Sequence, residues 1–235
     1  MDYRIFETSW SNFEGEGLAR LFALPALERE RFLFRGDGNA AFSLQPTIDR
    51  VRTFASVTER DSCIRRLIEE FKFQSLGLDF PLGVPKTDAQ WEFVARHHGL
   101  PSAILDWTSS AYVAAFFAFS RVVPVATHVS VWCLDRKVVA DDPQARDVLR
   151  FSEEYADFEY NARAVEQDAV LVRVGEPVQH LAVRFPKAIS CFRFSASEAP
   201  KVLARLAAMR ITERALFRDL DSAAKTAFYN VEVSI

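Results

Sequence analysis

Residues 91–120 read WEFVARHHGLPSAILDWTSSAYVAAFFAFS. Two adjacent histidines, His97 and His98, an aspartate between Leu105 and Trp107, and the run Thr108-Ser109-Ser110 stand among large apolar residues. A solvated loop would carry fewer apolar side chains, and a plain core segment fewer polar ones. Buried polar groups must be paired or used, so this stretch is the first candidate for a functional site. Its punctuation is clear. Thr87 or Asp88 caps a helix running through Ala95, and Gly99-Leu-Pro101 stops it. Ser109 or Ser110 caps a second helix from Ala111 to about Phe119, in which Ala114, Ala115 and Ala118 permit close approach to another element.

Outward from this block, Ser11–Arg20 opens as a helix, and Arg31–Phe34 fits a strand ended by Gly36-Asp-Gly38. Ile64, Leu67, Ile68 and Phe71 give Glu59–Phe73 the spacing of an amphipathic helix. Strands are expected over His128–Leu134, Ala169–Val174, Leu181–Phe185 and Ile189–Phe194, and a final one over Phe228–Val233. Pro143–Tyr160 reads as partly helical, Pro200–Met209 and Thr212–Leu220 as helices. No strand leads into a GxGxxG helix, so a dinucleotide-binding Rossmann sheet is not indicated. The pattern implies one compact α+β domain over residues 1–235.

At pI near 5.9 and a formal charge of -3, the chain is not built for non-specific grip on a phosphate backbone. A local basic patch remains open to Arg60, Arg65, Arg66, Arg146, Arg150, Arg184 and Arg193. Cys63, Cys133 and Cys191 form no CxxC, which reads as three free thiols in a reducing compartment. The start MDYRIFETSW shows no signal-peptide pattern, and no uncharged run reaches membrane-spanning length. A cytoplasmic protein without a membrane partner is expected. HHGLP is not a metal-ligand spacing, so no metal is expected.

Several residues invite chemistry. Arg35, leaving a buried strand, can meet a phosphate with two parallel hydrogen bonds, and Gly36 lets backbone approach a ligand or turn sharply. Asp106 is expected to be partly buried, accepting backbone hydrogen bonds or orienting His97. Trp107 can stack on a ring or sit in the core. Thr108, Ser109 and Ser110 can cap a helix or position a ligand. Glu166, at the edge of a strand, can stabilise positive charge developing on a sugar or can simply face solvent.

Phe34-Arg35-Gly36, then Leu44, Pro46 and Arg50, then Trp91, His97, Gly99-Leu-Pro101 and Leu105-Asp-Trp-Thr108 resemble the FRG domain family. Ala114–Ala118, Asn161, Arg163, Gln167 and Leu216–Leu220 continue the resemblance, which spans about residue 30 to about residue 225. The family in turn resembles the ADP-ribosyltransferases. That resemblance implies a compact α+β fold with a split β-sheet core, surrounding helices and a central NAD cleft. It implies a transferase that cleaves the nicotinamide–ribose bond of NAD, its substrate, and passes ADP-ribose to a protein, RNA or DNA acceptor. A bacterial toxin or phage-defence effector with an antitoxin partner follows from the same analogy. Arg35 and Gly36 would hold NAD with Trp107, Thr108, Ser109 and Ser110; Glu166, Gln167, His97 and Asp106 would serve catalysis. Gln167 stands near the position where those enzymes carry a glutamate, which gives the alternative reading of a nucleotide- or nucleic-acid-binding module without turnover.

Overall fold

Ser56 at the end of an extended segment accepts a hydrogen bond from the Glu59 N–H at 3.2 Å and starts the longest helix. Thr87 and Gln90 form a reciprocal capping box at the next, and Ser110 Oγ accepts from Val113 N at 3.3 Å at the third. These local devices set the helices of a computed structural model that describes residues 3–80, 83–151 and 166–232. Asn161, Arg163 and the second half of the segment read over 143–160 lie outside the described residues. The principal helices are α1 (Thr47–Val51), α2 (Val57–Gln74), α3 (Asp88–His97), α4 (Ala111–Ser120), α5 (Leu181–Arg184), α6 (Ala199–Ala208), α7 (Glu213–Phe217) and α8 (Leu220–Glu232).

The strands are β1 (Arg4–Glu7), β2 (Phe32–Asp37), β3 (Ile104–Thr108), β4 (His128–Asp135), β5 (Leu149–Phe151), β6 (Ala169–Val174) and β7 (Ile189–Ser195). Among the described residues they form one sheet in the order β1-β7-β4-β2-β3-β6-β5. Only β1 and β7 run parallel. The fold is mixed α+β. One sheet face buries Leu33, Leu105, Trp107, Trp132, Leu134 and Val172 in a single apolar cluster. The other buries Phe34, Val129, Val131 and Phe194 against Ala114, Ala115 and Ala118 of α4.

The sheet is weakest at its centre. β2 pairs with β4 over six successive residues, and β3 with β6 over five. β2 and β3 themselves meet only at Phe34 and Thr108. Beyond that bridge the two halves of the sheet part.

Two expected elements differ. Leu181–Phe185, read as a strand, is the single-turn helix α5, started by His180, whose side chain accepts from Ala182 N at 3.2 Å. Of the final strand read over Phe228–Val233, residues 228–232 are instead the end of α8, and Val233 lies outside the described residues. Pro143–Tyr160, read as partly helical, is helical over Pro143–Val148 and then gives way to β5. No helix among the described residues is long and apolar enough to cross a membrane. Cys63, Cys133 and Cys191 are free thiols, and burial pushes those of Cys133 and Cys191 up to about 12.

Candidate functional site

The gap between β2 and β3 opens into a cleft of about 440 Å³. Its walls come from β2, β3, the ends of α3 and α4, α1, the turn before β6, and α7. Four arginines line it, Arg35, Arg50, Arg96 and Arg121, against two carboxylates, Asp37 and Asp106. Phe42, Phe93, Phe117, Phe217 and Trp107 supply aromatic surface, and His97 stands at the rim. Excess guanidinium charge among aromatic walls is chemistry that receives an anion carrying a ring.

Arg35 spans the split. Its Nη1 donates to the Asp106 carbonyl at 2.8 Å, across the line where β2 and β3 no longer exchange backbone hydrogen bonds. Its Nη2 lies 3.6 Å from Asp37 Oδ1. Asp37 in turn accepts from Trp132 Nε1 at 2.9 Å through its other oxygen. The buried Arg35 Nε has no hydrogen-bond partner among the described residues.

Asp106 departs from the expectation of burial. Its side chain is 56% exposed and paired with Arg96. It holds Arg35 through its backbone and Arg96 through its side chain. Arg96 also lies over the Phe93 ring, 5.5 Å from its centroid. Arg121 lies over Phe117 at 5.1 Å and Phe217 at 5.5 Å, and pairs with no carboxylate among the described residues. His97 and His98 are both exposed at the end of α3, their rings 5.4 Å apart; His97 lines the cleft.

The remaining expected site residues divide. Trp107 is buried in the core, with one side toward the cleft. Thr108 lines the cleft, and its Oγ1 accepts from Ser110 N at 3.0 Å. Ser110 is the helix cap already described, and Ser109 is exposed with its N–H donated to the Asp168 carbonyl at 3.1 Å. Neither serine lines the cleft.

Gly36 lines it, yet its missing side chain faces elsewhere. A Cβ there would stand 1.9 Å from the Ala114 carbonyl oxygen and 2.6 Å from the Ala118 nitrogen, both backbone atoms of α4. The glycine is mid-strand and serves strand–helix packing rather than a turn.

Glu166 is ion-paired with Arg218 and lies outside the cleft lining. Gln167 does line it, and its Nε2 donates to the Leu216 carbonyl at 3.1 Å. Both precede β6, in a turn closed by Asp168 at φ +45°. They fasten α7 and its left-handed end at Arg218 to the sheet.

On the far face of Trp132 the His180 ring stands 5.4 Å away, and Tyr3 Oη is 3.4 Å from His180 Nε2. Burial lowers the His180 proton affinity below its ordinary value. Its Nδ1 must stay unprotonated to accept from Ala182 N. The unfolded chain takes up this proton first as pH falls through about 6.5. The contribution of His180 to stability is therefore complete above that pH and lost progressively below it. Thermal melts between pH 5 and 8 are expected to show this slope, and His180→Asn, which caps without titrating, to flatten it.

The FRG domain family model matches residues 30–125. No curated protein and no solved structure matches the chain. The matched segment carries β2, α1, α3, β3 and α4, and with them Arg35, Arg50, Arg96, Asp106 and Arg121 of the cleft. Over residues 30–125, the part that supplies every cleft arginine, the chain is similar to the FRG domain family.

Proposed function

We propose that the cleft binds NAD and that the chain is an ADP-ribosyltransferase-like enzyme. The observation that carries this reading is Arg35. It crosses the split between β2 and β3 in a cleft with four guanidinium groups, two carboxylates and several aromatic walls. Arginine forks match phosphate oxygens, and the aromatic surface suits a nicotinamide or adenine ring.

In this reading Arg35 anchors the diphosphate, and Thr108 and His97 face the ribose. The nicotinamide–ribose bond breaks, its electron pair leaving with neutral nicotinamide, and positive charge develops on the ribose. Asp106 is assigned the stabilising of that charge because it lines the cleft, where it also pairs with Arg96, whereas Glu166 pairs with Arg218 outside the cleft lining. A nucleophile on a protein, RNA or DNA acceptor then attacks the ribose carbon and gives up its proton. An intracellular effector of this type, toxin-like and held in check by an antitoxin, belongs to the same reading.

The test is mass spectrometry of the full chain incubated with NAD, with and without cell lysate. Release of nicotinamide together with an ADP-ribosyl adduct is expected. Arg35→Ala is expected to abolish NAD binding in calorimetry. Asp106→Asn should leave binding within a few-fold and lower turnover by roughly a hundredfold or more. Unchanged turnover in D106N would remove Asp106 from this role.

A second reading, a nucleotide-binding module without turnover, is favoured by one observation: Glu166 and Gln167 brace α7 rather than present a carboxylate to the cleft. Arg35-dependent NAD binding with no nicotinamide release would decide for it.

A further inference from the structure

We propose that Arg50, acting with Arg35, clamps the diphosphate group of a nucleotide ligand. The assignment rests on reading the cleft as a nucleotide site and adds a residue to it.

Arg50 sits on α1, whose backbone is held from several sides. Thr47 Oγ1 accepts from Ser102 N at 2.9 Å, and Ile48 N donates to the Ser102 carbonyl at 3.2 Å. Asp49 takes both arms of the Arg60 fork at 2.8 Å, and Val178 N donates to the same carboxylate at 3.3 Å. The helix is thus fixed, while the side chain of Arg50 lines the cleft with no hydrogen bond or ion pair among the described residues.

The local charge count is unbalanced. Arg35 and Arg50 line the cleft together with Asp37, which pairs with Arg35 at 3.6 Å through one oxygen and is held by Trp132 through the other, leaving no carboxylate paired with Arg50 among the described residues. Partial burial and the neighbouring Arg35 charge both weaken the hold of Arg50 on its proton. Two guanidinium groups brought together without enough counter-charge are unfavourable in the free protein. A ligand with two or more negative charges relieves that repulsion and engages the unpaired Arg50 guanidinium. A diphosphate supplies both the charge and the oxygens.

The experiment is calorimetric titration of the full chain with ADP, inorganic pyrophosphate and adenosine, in the wild type, Arg50→Gln and Arg50→Lys. Ligand-free thermal melts accompany each variant. ADP and pyrophosphate are expected to bind the wild type, and R50Q to weaken both by about tenfold or more. R50K should recover part of the loss, since it keeps the charge without the fork. The ligand-free melting temperature of R50Q should be equal to or above that of the wild type, because a repulsion has been removed. A merely structural arginine would give a lower one.

Wild-type affinity for ADP in R50Q overturns the proposal, as does failure of the wild type to bind ADP or pyrophosphate. A lower melting temperature shared by R50Q and R50K overturns it too. Arg50-dependent ADP binding without nicotinamide release from NAD leaves the clamp standing and removes the transferase reading. Nicotinamide release unaffected by R50Q does the reverse.

Discussion

Gly36→Ala is expected to leave little folded protein, with a loss of at least about 3 kcal/mol, at the upper end of overpacking effects. The added methyl would lie 1.9 Å from the Ala114 carbonyl oxygen, well inside contact distance. The obstructing atoms are backbone, so no rotamer change relieves them. β2 cannot retreat, because it is hydrogen-bonded along its length to β4. α4 cannot retreat without opening the cluster that buries Phe34, Val131 and Phe194. A domain of ordinary stability, about 5–15 kcal/mol, has little room for this. Gly38→Ala should behave likewise, since its Cβ would stand 1.8 Å from the Arg121 carbonyl oxygen. Gly15→Ala is the control: nothing lies within 4 Å of that position, and replacing glycine in a helical run is neutral or mildly stabilising. Urea denaturation of the three variants checks the contrast. A wild-type midpoint for G36A would show that β2 and α4 separate readily.

Arg60→Met is expected to cost about 3–5 kcal/mol, the range for removing one partner of a buried ion pair. Arg60 is fully buried. Its Nε and Nη2 donate to Asp49 at 2.8 Å each, and its Nη1 to the Val174 carbonyl at 2.6 Å. Without it, a carboxylate 5% exposed keeps only the long hydrogen bond from Val178 N. The pair joins α2, α1 and the end of β6, so its loss also frees the helix that carries Arg50. Arg60→Lys should recover part of the stability, and the double variant R60M/D49L more, because it leaves no uncompensated charge. Chemical denaturation measures all three. If R60M and the double variant were equally unstable, volume rather than charge would be the cause.

Arg60, expected among the arginines of a local basic patch, is instead buried. It stands four residues before Ile64 and eight before Ile68, in line with the buried face of α2. A charged residue on that line is either a break in the face or one half of a buried pair, and the spacing was the available signal. β3 gave less to read. Its burial alternates only weakly, with both faces covered around the single exposed Asp106, so the period-two pattern of a half-buried strand is blurred. α5 resembles a strand in the sequence because a short apolar run carries no decisive period; the His180 cap is what distinguishes it. At the end of α8, Phe228, Tyr229 and Val231 favour extended structure by propensity, and continuation of the helix prevails.

The sequence by itself determined the caps, the helical faces and most strands, because each depends on residues within a turn or an alternating pair. It also marked Arg35, His97, Asp106 and Thr108, all of which line one cleft. Only the tertiary structure decided what those residues do. Arg35 reaches a carbonyl seventy-one positions away, Gly36 makes room for a helix, and Gln167 fastens Leu216. Ser109 and Ser110 stay with the local backbone. Spacing along a chain constrains neighbours one turn apart. It carries no record of which strand fails to pair, and the cleft exists because β2 and β3 part after a single bridge.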